Sequence, residues 1–342
     1  DRAARWAREV PEAAATFRAR FDAEHLHLRA LLSEDDRDAE AAFDAMVRAA
    51  RVLDRPDLVQ IAHHALAQVR LAAWRPAEAE RLVTAALGTA PQPWAEVALR
   101  CVLAEALVVQ DRPDEADRAL AEARQRVEGG SGLAGAGPRV AWVSGRVAFG
   151  RGDLDGARAS ADRTIALARA QGQPRFVVLG RTLAAMAGAA EDGPTLFLEA
   201  LARGMPRAAV GLFAQATAAH ILDGGPDPDW MFDRLVEGPL GSAEIELVTV
   251  MAERSRPVAD LRAWLARLAG PRVAAMDAWL AAAAGERVRP TYVDTVDPWV
   301  AVYQARVWRS LGRTAQVAAE LARVRPRGDR LLARAVADLT GV

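Results

Sequence analysis

Residues 138–169 constrain the fold more than any other stretch of this sequence. They contain a small residue, Gly145, at a point where two helices must touch, followed seven residues later by a Gly152-Asp153 turn. Ala157 then opens a second apolar run. Gly and Asp favour turns, and the apolar residues on either side have helical spacing. The segment therefore predicts a helix, a turn and a second helix, in a unit of about 34 residues.

The same spacing recurs along the chain. Small residues at the predicted helix contact recur at intervals of 35 to 41 residues, at Ala67, Ala104, Gly145 and Gly180. This pattern resembles the tetratricopeptide (TPR) repeat, clearly over residues 57–169, more weakly up to 190 and again over 297–326. The resemblance implies an all-α fold, a right-handed α-solenoid of antiparallel helix hairpins in which the first helix of each pair lines a concave groove.

Composition agrees with an all-α fold. Hydrophobic residues make up 51% of the chain, but only 6% are aromatic, and Ala and Leu are the strongest helix formers. The sequence contains no Lys and no Asn, which is typical of a high-GC bacterium. Without Lys, this chain has no P-loop lysine, no Schiff-base lysine and no kinase ATP-anchoring lysine.

The predicted solenoid is one continuous body with four parts. Residues 1–56 form capping helices and a first hairpin, and residues 57–190 form TPR-like repeats. Residues 191–296 form degenerate helical hairpins, with a compact non-repeating insert as the alternative. Residues 297–342 form a terminal hairpin, in which Asp297 caps the first helix, and a capping helix. A Gly-rich stretch, residues 129–137, predicts a loop inside the repeats.

No catalytic or metal-binding motif is recognisable. His25 and His27 lie on opposite sides of a predicted helix, and the adjacent His63 and His64 diverge by about 100°. Cys101 is the only cysteine, so the chain has neither an internal disulfide nor a thiolate zinc cluster. We therefore expect no enzyme activity, no metal and no cofactor.

Charge and hydropathy bear on nucleic-acid binding, membrane insertion and cellular location. The net charge of −1 and the alternation of Arg with acidic residues predict no direct binding to nucleic acid. No apolar run of 18 residues and no signal peptide are visible, so we expect a cytoplasmic protein that does not enter a membrane. The sequence gives no indication of oligomeric state.

The predicted binding site lies in the concave groove. An Arg–aromatic stripe on the first helices could bind carboxylates, since guanidinium groups pair with them and aromatic rings anchor side chains. The alternative is that these arginines only keep an Ala-rich surface soluble and that Trp142 is packed in the core. The candidate residues are His64, Gln68, Glu105, Arg139, Trp142, Arg146, Phe149, Arg175 and Arg181.

These features predict a non-enzymatic scaffold that binds a protein or peptide with acidic residues. The chain is similar to the repeat region of large bacterial transcriptional regulators and of signalling ATPases, which implies a sensor or interaction region. Its start at Asp1 agrees with a sensor region severed from such a regulator and equally with a free-standing adaptor. The alternative function is a sensor for an anionic metabolite, which requires an enclosed pocket instead of a long open groove.

Overall fold

The computed structural model describes residues 18–19, 21–22, 36–72, 75–89, 91–130, 132–236, 262, 265, 271–288, 297–326 and 330–341. Over these ranges the secondary structure is helical, without a strand, so the all-α prediction is confirmed. None of the described helices is long and apolar enough to cross a membrane. Most of the predicted N-terminal capping region, His25 and His27 included, and much of residues 237–296 lie outside the described residues.

The chain divides into two compact units. Unit 1 comprises residues 1–147 and 163–177, and unit 2 comprises residues 148–162 and 178–342. The helices that lie wholly in unit 1 are α1 (Asp36–Val52), α2 (Pro56–Ala72), α3 (Pro76–Leu87), α4 (Pro93–Val109) and α5 (Pro113–Gly129). The helices divided between the units are α6 (Gly137–Arg151), α7 (Leu154–Ala170) and α8 (Pro174–Met186). Those wholly in unit 2 are α9 (Gly193–Ala202), α10 (Pro206–Asp223), α11 (Asp229–Val236), α12 (Pro271–Ala283), α13 (Pro298–Ser310), α14 (Thr314–Leu321) and α15 (Arg330–Thr340).

Helices in unit 1 pack in sequence order. Each of α1 to α4 packs against the next helix, and α2 also packs against α4. The sequence placed three small residues at helix contacts, and all three are buried: Ala67, Ala104 and Gly145. Small side chains let helices approach closely, so the predicted contact positions in this unit are confirmed as buried positions.

The turns of the hairpins need an unusual backbone conformation. Gly152, between α6 and α7, has a φ of 81°, which glycine adopts without cost. In the preceding hairpin the corresponding residue is Asp111, with a φ of 62° in the turn between α4 and α5. Short polar side chains tolerate this left-handed region better than most residues, which explains an Asp where the next hairpin has Gly.

Ion pairs tie each hairpin of unit 1 to its neighbours. Arg70 on α2 is almost fully buried and pairs with Glu40 on α1 and with Glu78 on α3. Arg112, in the turn between α4 and α5, reaches Glu80 on α3 at 2.7 Å and Glu115 at 2.7 Å. These ion pairs connect helices of neighbouring hairpins and so help to define how the hairpins pack.

The Gly-rich stretch predicted as a loop is shorter and more ordered than expected. It contains a 3-10 turn, Ala134–Ala136, between the end of α5 and the start of α6. The side-chain amides of Gln171 and Gln173 donate to the carbonyl oxygens of Ala134 and Gly135, each at 2.9 Å. These two hydrogen bonds, from side chains further along the chain, therefore hold the Gly-rich stretch in a defined conformation.

The described residues of unit 2 include an apolar core cluster that contains Phe197, Phe213, Met276 and Tyr303. Here α9 packs on α10, α10 on α11, α12 on α13, and α13 to α15 on one another. Gly180, the fourth predicted contact residue, is buried in this unit. As predicted, Asp297 caps α13, its carboxylate accepting the backbone N–H of Trp299 at 3.0 Å.

Candidate functional site

Two helices of unit 1, α2 and α4, together with the part of α6 that belongs to unit 1, form a surface called here the first-helix face. α2 packs against α4, and Ala67 on α2 belongs to the same apolar cluster as Leu99 and Val102 on α4. Ala104 on α4 belongs to a separate cluster that also contains Val140 and Val143 on α6. The first helices of three consecutive hairpins therefore stand side by side, with α4 in the middle.

Arg139 spans this surface. It is the third residue of α6, yet its Nη1 atom lies 3.4 Å from Nε2 of His64 on α2. Both side chains are half-buried. Arg139 thus connects the first and third helices of this face, and its charge also acts on the thiol of Cys101 on α4.

Cys101 is buried on α4 and chemically inert. Burial raises the pKa of its thiol to about 12, because the thiolate would lose its hydration. The positive charge of Arg139 opposes this effect and the negative charge of Glu105 adds to it, so both groups lie close to the thiol. The thiol therefore stays protonated at neutral pH and cannot serve as a nucleophile or a metal ligand.

Within the part of the chain that the structure describes, no carboxylate forms an ion pair with Arg139, and His64 is its only hydrogen-bond partner. A guanidinium that is partly removed from water and not neutralised is unusual, because removal from water without a counter-charge costs free energy.

Arg146 lies about two turns further along α6. Its Nε atom lies 3.1 Å from Oε1 of Glu105 on α4, and its guanidinium carbon lies 5.2 Å from the centroid of the Trp142 ring. Its side chain is 51% exposed. One ion pair and one cation–π contact thus hold the arginine while most of its donors face solvent.

Trp142 joins α6 to the start of α8. Its ring meets the ring of Phe176 edge to face, with centroids 6.5 Å apart. Both side chains are half-buried, so Trp142 is neither fully packed in the core nor freely exposed. The first-helix face thus carries two sets of contacting side chains: the pair of His64 and Arg139, and the set of Glu105, Arg146 and Trp142.

The other predicted site residues stand apart from these two sets. Gln68 is half-buried on α2 and makes no described polar contact, and Arg175 is exposed at the start of α8. Phe149 is half-buried in the part of α6 that belongs to unit 2. Arg181, also in unit 2, is engaged by carboxylates of that unit, Glu191 at 2.9 Å and Glu199 at 3.4 Å.

Phe176 is the site residue that the sequence analysis missed. It follows Arg175 and precedes the contact residue Gly180 by four positions, the same offset that separates His63 from Ala67 and Ala141 from Gly145. An aromatic residue at this position of a predicted first helix could therefore have identified Phe176 as a site residue from the sequence. For Arg181 no such signal was present in the sequence, because the two acidic residues that pair with it lie 10 and 18 positions further along the chain.

The adjacent histidines of α2, His63 and His64, point in different directions. His63 faces α1, with its Nδ1 atom 2.8 Å from the carbonyl oxygen of Val59 and its ring edge to face with Phe43. His64 points instead toward Arg139. Among the residues that the structure describes, no three His, Cys, Asp or Glu side chains are grouped as metal ligands would be.

The sequence was compared with models of known protein families and with curated proteins, and neither comparison gave a match.

Proposed function

We propose that this chain is a non-enzymatic scaffold whose first-helix face binds a protein or peptide segment with acidic residues. The observation that carries the proposal is the group formed by Arg139, Trp142 and Arg146. It combines one arginine without a carboxylate, one exposed arginine and an aromatic ring on a single surface. Arginine and tryptophan are the residues that most often contribute binding energy at protein interfaces.

Arg146 suits the recognition of a carboxylate. Its contact with Trp142 and its pair with Glu105 restrict the side chain before any ligand arrives, so little conformational entropy is lost on binding. Its outward N–H groups would donate to an Asp or Glu side chain of the partner, and the Trp142 and Phe176 rings would contact an adjacent apolar residue.

The architecture proposed for this role is a right-handed TPR-like solenoid. In a flat row of helices, α2 and α6 would be separated by about 16–20 Å, because neighbouring axes lie about 8–10 Å apart. The contact between Arg139 and His64 over α4 supports a first-helix face that curves inward, as the concave side of a solenoid does. In a cell, such a scaffold would act as a cytoplasmic adaptor or as the sensor region of a bacterial regulator.

One observation favours a second candidate function, a sensor for an anionic metabolite. Arg139 is half-buried and has no carboxylate partner among the described residues, which is what a small anion requires. In this case the ligand would be held by Arg139 and His64, and Arg146 would contribute little. The two functions therefore assign the binding energy to different arginines.

Selection from a random peptide library tests the proposal without knowledge of the partner. We expect the peptides selected on this chain to be enriched in Asp and Glu and to bind the Arg146→Gln variant at least tenfold more weakly, a loss of about 1.4 kcal/mol. Arg81→Gln is the matched control, because Arg81 is exposed on α3, which is not part of the first-helix face. Selected peptides without acidic enrichment, or equal binding to Arg146→Gln, would contradict the proposal.

A further inference from the structure

We infer that Trp94 is a second anchor on the first-helix face, and that the partner is an extended segment with an acidic residue and a large apolar residue about five positions apart. The inference rests on the proposed function, which places the acidic residue at Arg146. It starts from one juxtaposition: Trp94, in the first turn of α4, is 44% exposed and lies on the same side of α4 as Glu105, the carboxylate that pairs with Arg146.

Helical geometry places Trp94 and Glu105 on one side of α4. They are eleven residues apart, about three full turns, so their side chains lie within about 20° of each other around the helix axis. Ala98 and Val109 fall within about 60° of Trp94 and are half-buried, whereas most of the other residues of α4 are buried. This accessible strip of the helix, called here the α4 stripe, comprises Trp94, Ala98, Glu105 and Val109.

The α4 stripe is not the side of the helix that packs against its own hairpin partner. Arg100 lies about 120° around the helix from Trp94 and forms an ion pair with Glu122 on α5. That side of α4 therefore faces α5, and the stripe with Trp94 lies on a different side, which is open to a partner.

The backbone that carries Trp94 is held against α2. Gln92, which precedes α4, donates its backbone N–H to the side-chain oxygen of Gln60 on α2 at 3.2 Å. Gln60 is itself almost fully buried. The ring is therefore presented from a fixed backbone, so less conformational entropy is lost when a partner binds to it.

The distance between the two anchors determines the kind of partner. Trp94 and Glu105 are about 16 Å apart along α4, at about 1.5 Å per residue, and Glu105 holds Arg146 at 3.1 Å. An extended segment covers about 16 Å in five residues, whereas a helix needs about eleven. Ordering five residues costs less conformational entropy than ordering eleven, which favours the extended segment.

The charges near the α4 stripe agree with an acidic partner. Arg146 is 51% exposed at one end of the stripe, where it pairs with Glu105. Arg139 is close enough to act on the Cys101 thiol, so a second positive charge lies near the middle of α4. An acidic residue of the partner would pair with Arg146, and its apolar residue would leave water against the Trp94 ring.

A double-mutant cycle between Trp94 and a selected peptide tests the inference directly. We expect the selected acidic peptides to carry a large apolar residue about five positions from the acidic one. Replacing that apolar residue by Ala should weaken binding to the parent protein at least fivefold but to Trp94→Ala less than twofold, because the variant has already lost the contact. Equal weakening in both proteins, or a spacing of about eleven positions, would overturn the inference.

Trp230→Ala is the matched control, because Trp230 is similarly exposed but lies on α11 in unit 2. We expect the selected peptides to bind Trp94→Ala at least fivefold more weakly than the parent and to bind Trp230→Ala as they bind the parent. Thermal melting of both variants checks the fold. Parent-like peptide binding by folded Trp94→Ala would overturn the inference.

The inference and the proposed function fail in different ways. Weaker binding to Arg146→Gln together with parent-like binding to Trp94→Ala refutes the second anchor and leaves the proposed function intact. Weaker binding to Trp94→Ala together with parent-like binding to Arg146→Gln contradicts the proposed function instead.

Discussion

Replacement of Ala104 by Leu is the most direct test of the packing that creates the first-helix face. Ala104 is fully buried on α4, in the cluster that contains Val97, Val140 and Val143. Leucine adds three carbon atoms, whose burial would be favourable if there were space for them, at about 0.8 kcal/mol for each carbon. Interiors are packed as densely as organic crystals, so α4 and α6 would have to move apart to accommodate them.

The net effect follows from that movement. We expect Ala104→Leu to lower the free energy of unfolding by about 1–3 kcal/mol, the usual cost of overpacking a close contact. In a body of this size each kcal/mol lowers the melting temperature by about 2–4 °C. Because the displaced helix carries Arg139, binding of the selected acidic peptides should weaken as well.

Circular dichroism melting and peptide binding are the assays, with Ala121→Leu as the matched control. Ala121 lies on α5 and is exposed, so the same substitution there adds side-chain atoms without displacing a helix. We expect the control to melt within about 1 °C of the parent, since exposed substitutions change stability by about 0.5 kcal/mol or less. If Ala104→Leu melts like the parent and like the control, the close contact between α4 and its neighbours is wrong.

Further substitutions test the turns, the caps, the thiol and the ion pairs. Gly152→Ala should destabilise the protein by about 1–2 kcal/mol in a denaturant titration, because alanine is strained at a φ of 81°. The hydrogen bonds from Thr195 lower the pKa of Asp192, so the stability lost in Asp192→Ala should be constant above about pH 5 and shrink as the pH falls below about 4; a difference that grows in acid would contradict this assignment. Cys101 should react with iodoacetamide at pH 8 at least a hundredfold more slowly in the native protein than in urea, because the thiol is buried and its pKa is about 12; comparable rates would contradict its burial. Arg181→Gln should lower the melting temperature more than Arg146→Gln does, since it removes the cation shared by two carboxylates, and equal melting would contradict this difference.

The sequence predicted the helices and the buried contacts well because both depend on local spacing. Ala67, Ala104, Gly145 and Gly180 are all buried, as the recurring pattern of small residues required. A residue's position within its own helical turn decides which side of the helix it occupies, and the sequence reports that position directly.

The site was only partly predictable because long side chains pair according to the arrangement of whole helices. His64 and Arg139 were each placed on the groove side, but they are 75 residues apart, and their contact depends on how α2, α4 and α6 pack. Arg181 was expected to point at a ligand, yet its unit supplies Glu191 and Glu199 as partners. The arginine side chain is long enough to reach several acidic residues. Its position within the helical turn therefore does not determine which of them it pairs with.

Hydrogen–deuterium exchange with a selected acidic peptide tests the central claim most directly. A ligand stabilises the helices that it contacts and so slows the exchange of their amides. The account predicts slower exchange in α2, α4 and α6, with α3 and α5 changed least. Slower exchange confined to α3 and α5, or no change in α2, α4 and α6 while the peptide is bound, would contradict the claim that the first-helix face is the binding surface.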